Sequence, residues 1–297
     1  MSELTQAVRP SWRDYLEMCK PRVVALMLLC ALVGMFLATP GWVGLDVLVP
    51  GILGIGLVAA SAAVVNHIAD AEIDIRMART ANRPVATGRV GTLSGLAFSA
   101  ALGVAGMAVL LLWTNALTAW LNLASWVGYG LVYTLFLKRM TPQNIVIGGL
   151  FGAAPPLFGW TAVTGTLEPG GLILVLIIFA WTPPHFWALA LDRKAEYQAV
   201  NIPMLPVTHG ERHTRRHIFF YTLILIASSL LPVAIGMSGW AYLIAALGLG
   251  AGFLYWSVAL LANRGPKVPM QTFRYSIIYL MALFVALLID HYWLVPV

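Results

Sequence analysis

The sequence predicts an all-α, polytopic membrane protein. Its 297 residues are 60% hydrophobic and only 10% charged, and the mean hydropathy is +0.83. Apolar runs of about 20 residues, which is the length that a helix needs to cross a bilayer, follow one another along almost the whole chain. Such a composition excludes a soluble globular domain and predicts a single integral-membrane domain over residues 1–297.

Nine of these apolar runs are predicted as membrane-spanning helices, because each is bounded by polar, charged, glycine or proline residues. Their predicted bounds are about 22–38, 47–68, 93–113, 115–136, 143–163, 170–190, 218–236, 239–262 and 275–296. Residues 1–20 form a polar tail. The longest connections, 69–92 and 191–217, carry most of the residues capable of chemistry, and we expect them to be the catalytic loops.

The basic residues predict the orientation of the helices. If nine helices alternate in direction, all 18 Lys and Arg residues fall on one side of the membrane. The positive-inside rule then places the N-terminus in the cytoplasm and the C-terminus outside, in the periplasm if the membrane is a bacterial inner membrane. The net charge of +6 therefore reports topology and is no evidence for nucleic-acid binding, since no soluble basic face remains.

A dense cluster of charge follows the second predicted helix. Asn66, Asp70 and Asp74 recur every four residues, which places them on one face of a helix. Oxygen ligands in such a row suit Mg²⁺ when a phosphate supplies the remaining oxygens. Two arginines that follow, Arg79 and Arg83, suit the phosphate itself. Because charge at the mouth of a membrane helix is costly, this cluster is a candidate functional site.

A second acidic pair follows the sixth helix, where Asp192 and Glu196 are again four residues apart and Tyr197 comes next. An aromatic and basic group follows the fourth helix: Tyr133, Lys138 and Arg139. Two carboxylate sites and a basic strip on one membrane face can hold a diphosphate through two Mg²⁺ ions. The simpler alternative is pairing with neighbouring basic residues at the helix ends, and for Asp192 this alternative stays open.

Prolines occur inside two predicted spans, as Pro155-Pro156 and as Pro183-Pro184 before His185. Proline frees backbone carbonyls, so these breaks are expected to face protein or a cavity. We expect His185 to point into an internal chamber, either as a ligand contact or as a partner of a freed carbonyl. Three glycines predict close helix packing: Gly148, Gly149 and Gly152.

The row of Asn66, Asp70 and Asp74 resembles the first aspartate-rich motif of the intramembrane UbiA-type prenyltransferases. Within that family, further segments resemble the members that farnesylate haem. These segments are Asp74 to Pro84, Tyr133 to Asn144, Gly148 to Trp160, Pro184 to Phe186 and Pro203 to Val207. One departure is Glu196-Tyr197, where the family often has Asp-Tyr; glutamate still binds Mg²⁺.

The resemblance implies a nine-helix bundle with a central cavity that opens near the cytoplasmic side. It implies that farnesyl diphosphate ionises and that a vinyl group of haem b captures the farnesyl cation, with haem as substrate and not as prosthetic group. Water then completes haem O, which would feed enzymes that use haem O or haem A. The implied Mg²⁺ ligands are Asp70, Asp74 and Glu196, with Asn66 assisting. The implied diphosphate ligands are Arg79, Arg83, Lys138 and Arg139.

Two other functions are compatible with these patterns. A UbiA-type prenyltransferase that acts on a quinone precursor shares the first motif, although the Pro184 to Phe186 and Pro203 to Val207 segments favour haem. A transporter also combines polar clusters with broken helices. Against a transporter, the polar groups lie at one end of the predicted helices and no inverted repeat is evident.

Overall fold

The computed structural model describes residues 10–77 and 80–293, without the side chain of Arg139. Arg79, predicted as a phosphate ligand, lies outside the described residues. Within these ranges the chain forms helices and no β-strand. The helices are α1 (Trp12–Met18), α2 (Pro21–Leu37), α3 (Leu45–Ala69), α4 (Ala71–Asp74), α5 (Thr92–Trp113), α6 (Ala116–Trp126), α7 (Lys138–Met140), α8 (Asn144–Gly152), α9 (Pro155–Thr164), α10 (Pro169–Asp192), α11 (Lys194–Ala199), α12 (Leu205–Thr208), α13 (Glu211–Ala234), α14 (Trp240–Leu261) and α15 (Val268–Tyr292).

The predicted polytopic architecture is confirmed. In the described part of the chain, eight helical segments are long and apolar enough to cross a membrane. The number becomes nine if α1 and α2, which meet at an angle of 53°, count as one bent span. The fourth span consists of α6 and a π-helical segment, Val127–Leu137, and the fifth consists of α8 and α9. Wide π turns of this kind are rare and are frequent at functional sites.

Two spans begin earlier than predicted. Helix α13 begins at Glu211 instead of 218, and α15 begins at Val268 instead of 275. Hydropathy marks only the apolar part of a helix, whereas the backbone hydrogen bonds continue into the polar first turns. The predicted loop 191–217 is therefore shorter, ending at Gly210, and it contains the short helices α11 and α12.

The two proline pairs behave differently. Pro155 and Pro156 begin α9 after a break from α8, as predicted. The predicted break at Pro183 and Pro184 is wrong, because α10 runs without interruption from Pro169 to Asp192. Helix α10 is buried along most of its length by α8, α13 and α15, and this packing holds the helix together where two N–H donors are missing.

Two groups of helices form the bundle. In the first, α3 packs on α5 and α2 packs on α9; in the second, α10, α13, α14 and α15 pack on one another. The first group joins the second through α2, which contacts α15, and through α9, which contacts α10. The ends of α2, α3, α8 and the π-helical segment that carry charge meet at one mouth of the bundle. The candidate site is at this mouth.

Candidate active site

Asn66, Asp70 and Asp74 share a buried face, in the arrangement that their spacing predicts. Helix α3 ends at Ala69, but backbone hydrogen bonds continue from Asp70 N to the Asn66 carbonyl (3.1 Å) and from Asp74 N to the Asp70 carbonyl (2.8 Å). Each of the three residues is only 4% exposed. Glu72, between the two aspartates, is exposed. Asp70 and Asp74 are therefore buried because they lie on the inward face of these helical turns, whereas Glu72 lies on the outward face.

Each buried aspartate pairs with one predicted diphosphate ligand. Lys138 Nζ lies 2.7 Å from Asp70 Oδ2, and an Arg83 guanidinium nitrogen lies 2.6 Å from Asp74 Oδ2. Asn144, which is fully buried, donates from Nδ2 to the Lys138 carbonyl at 3.2 Å and fixes the backbone of the lysine. Breaking a buried ion pair on one side leaves an uncompensated charge, so these four side chains are strongly coupled.

Lys20 is a third cation of the site that the sequence patterns did not predict. Its backbone has φ of +51° at the bend between α1 and α2, and its Nζ donates to Asn66 Oδ1. The same Asn66 amide donates from Nδ2 to Thr134 Oγ1 at 3.3 Å. Asn66 therefore positions Lys20, and its oxygen is not open as a metal ligand as the sequence analysis expected. A signal existed: Lys20 directly precedes the first apolar run on the side that carries the acidic motif.

Lys20 lies at the joint of the bent span that α1 and α2 form, among other charged groups. It is repelled by Arg83 and Lys138 and attracted by Asp70 and Asp74. A bound anion would be attracted to all three cations. The three cations Lys20, Arg83 and Lys138 outnumber the two buried carboxylates, so the described site favours a polyanion.

Tyr133 lies on the π-helical segment, stacked on Tyr129 with ring centroids 5.4 Å apart. It interacts electrostatically with both Asp70 and Tyr197, which come from the two predicted catalytic loops. A Cβ atom at Gly148 would lie 2.5 Å from the Tyr133 ring, so the glycine provides the space for this tyrosine. At Gly148 the predicted close packing therefore brings the helix α8 backbone against the Tyr133 ring.

The second acidic pair is much more exposed. Asp192 is exposed at the end of α10, and the Glu196 side chain is 50% exposed with Arg193 at 3.7 Å. Lys194 instead pairs with Glu211 at 3.3 Å. Among the described residues, neither Arg193 nor Lys194 forms an ion pair with Asp192. The helix-end pairing that remained open for Asp192 is therefore not present.

The two acidic loops converge through apolar contacts. Ile73, between the two buried aspartates, and Tyr197, beside Glu196, pack against one hydrophobic cluster that includes Trp187 and Met204. However, no group of three or more Asp, Glu, His or Cys side chains is arranged to hold one metal ion anywhere in the described ranges. The three predicted metal ligands therefore do not form one site, and the arrangement is that of two separate carboxylate groups.

The donor set of the first group nevertheless fits Mg²⁺. Asp70 Oδ1 is buried and receives no hydrogen bond from any described residue. Leaving a buried acceptor unpaired costs about 1–3 kcal/mol, and more for a charged group. A hard cation is the ligand that relieves this cost at a carboxylate oxygen. The unpaired oxygen, with Asp74 one turn away, is compatible with a Mg²⁺ ion whose remaining ligands come from a phosphate.

His185 lies between α10 and α15. Its ring is stacked between Trp181 and Phe273, with centroid distances of 4.1 and 4.6 Å, and its Nδ1 lies 2.7 Å from Ser276 Oγ. It therefore links α10 to α15 through a hydroxyl. The expectation that it satisfies a carbonyl freed by Pro183 or Pro184 is wrong, because the partner of its Nδ1 is the Ser276 hydroxyl.

The model of the UbiA prenyltransferase family matches residues 27–289. The chain belongs to this family. Its helical bundle also matches a solved structure of digeranylgeranylglyceryl phosphate synthase, with a TM-score of 0.82 at 19% identity over 95% of this chain and 99% of that one. A UbiA homologue from Archaeoglobus fulgidus, bound to GPP and Mg²⁺, matches with a TM-score of 0.64 at 15% identity, covering 92% and 99%.

Curated relatives are much more similar in sequence. The protoheme IX farnesyltransferase of Teredinibacter turnerae is 62% identical over 294 residues, which is 98% of this chain and 94% of the relative. Protoheme IX farnesyltransferase 1 of Pseudomonas putida is also 62% identical, covering 99% of each chain. The predicted family and the predicted enzyme class, an intramembrane prenyltransferase, are confirmed.

Proposed function

We propose that this prenyltransferase moves the farnesyl group of farnesyl diphosphate to a vinyl group of haem b, with addition of water, and releases haem O and diphosphate. The observation that carries the proposal is the buried pair Asp70 and Asp74, enclosed by three cations at one mouth of a UbiA-type bundle. The acceptor comes from the relatives, which are named protoheme IX farnesyltransferase and cover nearly the whole chain.

In this proposal Asp70 and Asp74 would hold Mg²⁺ next to the diphosphate, and Glu196 would bind Mg²⁺ from the second acidic group. When bound, Mg²⁺ would supply positive charge next to the departing diphosphate. The ligands from the first group are the unpaired Asp70 oxygen and the Asp74 carboxylate. Glu196 is half exposed beside Arg193, so it is accessible to a ligand at the mouth.

The cations bind and orient the diphosphate. In the free site, Lys138 pairs with Asp70 and Arg83 pairs with Asp74. Each cation has further N–H donors that its aspartate does not use and that can bind the diphosphate. Lys20, positioned by Asn66, completes the cationic wall. Further proposed contacts to substrate are Arg79, Arg139, Tyr133, Asp192 and Tyr197.

The three cations Lys20, Arg83 and Lys138 favour the breaking of the C1–O bond of farnesyl diphosphate. The bonding electron pair leaves with the diphosphate, whose charge the cations stabilise in a site of low dielectric. The allylic cation is attacked by a vinyl carbon of haem b, and the new cation on the haem side takes up water and loses a proton. Burial of Asp70 and Asp74 keeps this end of the site at low dielectric, where the charge of the leaving group is best stabilised by the cations.

The proposed role of His185 is a haem contact, and the alternative is the structural link to Ser276. The orientation follows the basic residues: the N-terminus is cytoplasmic and the C-terminus periplasmic, in the bacterial inner membrane. The product would pass to enzymes that use haem O or haem A. The surrounding bilayer supplies the farnesyl substrate, whose chain is apolar.

The test is an acceptor assay on the purified full chain with farnesyl diphosphate and Mg²⁺. Haem b and 4-hydroxybenzoate, a quinone precursor, are offered separately and together. We expect a farnesylated haem, and no farnesylated benzoate. Transfer to the benzoate alone would replace haem with a quinone precursor as acceptor. Mg²⁺-dependent binding of farnesyl diphosphate without transfer to either acceptor would contradict the proposed reaction, and the absence of such binding would favour a transporter.

A further inference from the structure

A basic cleft lies beside the candidate site, at the bend between α1 and α2. Its volume is about 440 Å³. Four basic residues and one acidic residue contribute to its walls: Arg13, Lys20, Arg22, Arg83 and Glu17. The Glu17 carboxylate lies 3.9 Å from Arg89, which partly compensates its charge. The cleft is therefore suited to an anion.

Two of these cations are not used by the candidate site. Arg13 and Arg22 are exposed, and neither forms an ion pair within residues 10–77 and 80–293. The Arg13 guanidinium lies over the ring of Trp12, 5.6 Å from its centroid. Trp12 is 70% exposed and Leu16 is 47% exposed. Exposed tryptophan next to arginine is typical of the depth at which lipid headgroups meet a membrane protein.

An apolar groove lies next to this cleft along α2, since Val23 lines the cleft and Val24 lines the groove. It has a volume of about 600 Å³ and runs between α2 and α3. On α2 it is lined by Val24, Leu28 and Leu32, at four-residue spacing, and α3 contributes residues that include Leu53 and Gly56. From Val24 to Leu32 the helix rises about 12 Å. Leu53 is 51% exposed, so the groove opens outwards, away from the interior of the bundle.

We propose that the cleft and the groove together bind one anionic phospholipid of the leaflet that contacts the basic loops. The headgroup phosphate lies between Arg13 and Arg22, and an acyl chain occupies the groove between α2 and α3. Charge complementarity selects the headgroup, and the apolar lining of the neighbouring groove selects an amphiphile, since on α2 the groove lining starts at Val24 and the cleft lining ends at Val23. Because the groove is open to the bilayer along its length, its occupant is a bilayer lipid.

The farnesyl substrate is also an anionic amphiphile, but it fits this place less well. An allylic cation requires an enclosed cavity, whereas the groove is open. The cations that hold the diphosphate in the proposed reaction are Lys20, Arg83 and Lys138. The first two also line the cleft, whereas Lys138 does not. Arg13 and Arg22 therefore distinguish the lipid site from the substrate site.

The experiment measures which lipid the purified full chain retains. The protein is equilibrated in detergent with equal amounts of phosphatidylglycerol and phosphatidylcholine of identical acyl chains, and retained lipid is counted by native mass spectrometry. We expect one phosphatidylglycerol per chain, preferred by roughly 30-fold on the basis of two arginines at the surface. Arg13→Gln with Arg22→Gln should lose this preference. The matched control, Arg212→Gln with Arg264→Gln, removes the same charge from exposed positions elsewhere and should keep it.

Three further arms separate the alternatives: competition by soluble glycerol 3-phosphate, competition by farnesyl diphosphate, which should not displace the lipid, and a variant with a filled groove. Soluble glycerol 3-phosphate should not displace the lipid, because it has no acyl chain for the groove. Leu53→Trp fills the groove without changing charge and should reduce retention, with thermal unfolding as the check on folding. Equal retention of both lipids, unchanged preference in the Arg13 and Arg22 variant, or displacement by farnesyl diphosphate would each overturn the proposal. None of these readouts depends on enzyme activity, so the outcome is independent of the proposed reaction.

Discussion

The two acidic groups of this chain have the same spacing in the sequence and very different surroundings in the fold. Asp70 and Asp74 are each 4% exposed and paired with basic residues from other elements. Asp192 is exposed, and Glu196 is half exposed with a partner only three residues away. A four-residue spacing predicts a shared helical face, but the neighbours of that face decide whether it is buried.

The neighbours differ because the helices end differently. Helix α3 continues through Asp70 into α4, beneath the α1–α2 bend and beside the π-helical segment. Helix α10 ends at Asp192 and is followed by an exposed short helix. Losing one partner of a buried pair costs about 3–5 kcal/mol, whereas an exposed pair contributes about 0–1 kcal/mol. Substitutions in the two groups should therefore have very different effects.

The largest effect is expected at the buried group. Asp70→Asn or Asp74→Asn keeps the shape but removes the charge that holds Mg²⁺, and turnover should fall about 10²- to 10³-fold or more. Haem O formation by the purified variants measures this loss. Glu72→Gln, on the exposed face of the same short helix, is the matched control and should retain activity. Turnover near that of the wild type in either asparagine variant would remove these residues from the reaction.

A smaller effect is expected at the exposed group. Glu196→Gln should reduce turnover about tenfold and raise the apparent KM for farnesyl diphosphate, since Glu196 completes a second and more accessible ligand group. Steady-state kinetics at several Mg²⁺ concentrations provide the measurement. An effect as large as that of Asp74→Asn would mean that the exposure of a carboxylate in the free protein does not predict its contribution to turnover. The contrast between the buried and the exposed carboxylates would then be wrong.

The basic wall provides a third contrast. Lys138→Gln removes the partner of buried Asp70, so the variant should lose stability, on the order of 3 kcal/mol, as well as diphosphate affinity. Lys194→Gln breaks only the exposed pair with Glu211 and should change stability by less than about 1 kcal/mol. Chemical denaturation and binding of farnesyl diphosphate measure the two properties. Similar stability of Lys138→Gln and Lys194→Gln would mean that the buried Lys138–Asp70 ion pair contributes no more stability than the exposed Lys194–Glu211 pair.

Tyr133 can be displaced without touching charge. Gly148→Ala places a methyl group against the Tyr133 ring and should cost about 1–3 kcal/mol in packing or binding. At Gly152 nothing lies within 4 Å of the added Cβ, so Gly152→Ala is the matched control. We expect the KM for farnesyl diphosphate to rise in Gly148→Ala and to stay unchanged in Gly152→Ala. Equal kinetics in both would show that the position of Tyr133 is unimportant.

The smallest effect is expected at His185. If its hydrogen bond to Ser276 is purely structural, Ser276→Ala and His185→Gln should each cost about 1 kcal/mol of stability and leave haem binding intact. If His185 contacts haem, His185→Gln alone should weaken haem binding. Haem titration monitored by absorbance separates the two roles, with farnesyl diphosphate binding as the control for an intact mouth.

The sequence was sufficient for features that depend on local periodicity. Apolar runs predicted the spans, and the four-residue spacing predicted the common face of Asp70 and Asp74. The role of Lys20 could not be predicted, because its contact with Asn66 joins residues far apart in the chain and depends on a bend at positive φ. The failure at His185 has the same origin, since tertiary packing keeps α10 continuous through two prolines.

The buried pair Asp70 and Asp74, and not the exposed pair, is expected to provide most of the Mg²⁺-dependent binding of the diphosphate. The decisive experiment is calorimetry of an unreactive farnesyl thiodiphosphate with and without Mg²⁺. We expect the affinity to depend strongly on Mg²⁺ in the wild type, less but clearly in Glu196→Gln, and not at all in Asp70→Asn. An undiminished Mg²⁺ dependence in Asp70→Asn, together with its loss in Glu196→Gln, would mean that the exposed pair holds the metal.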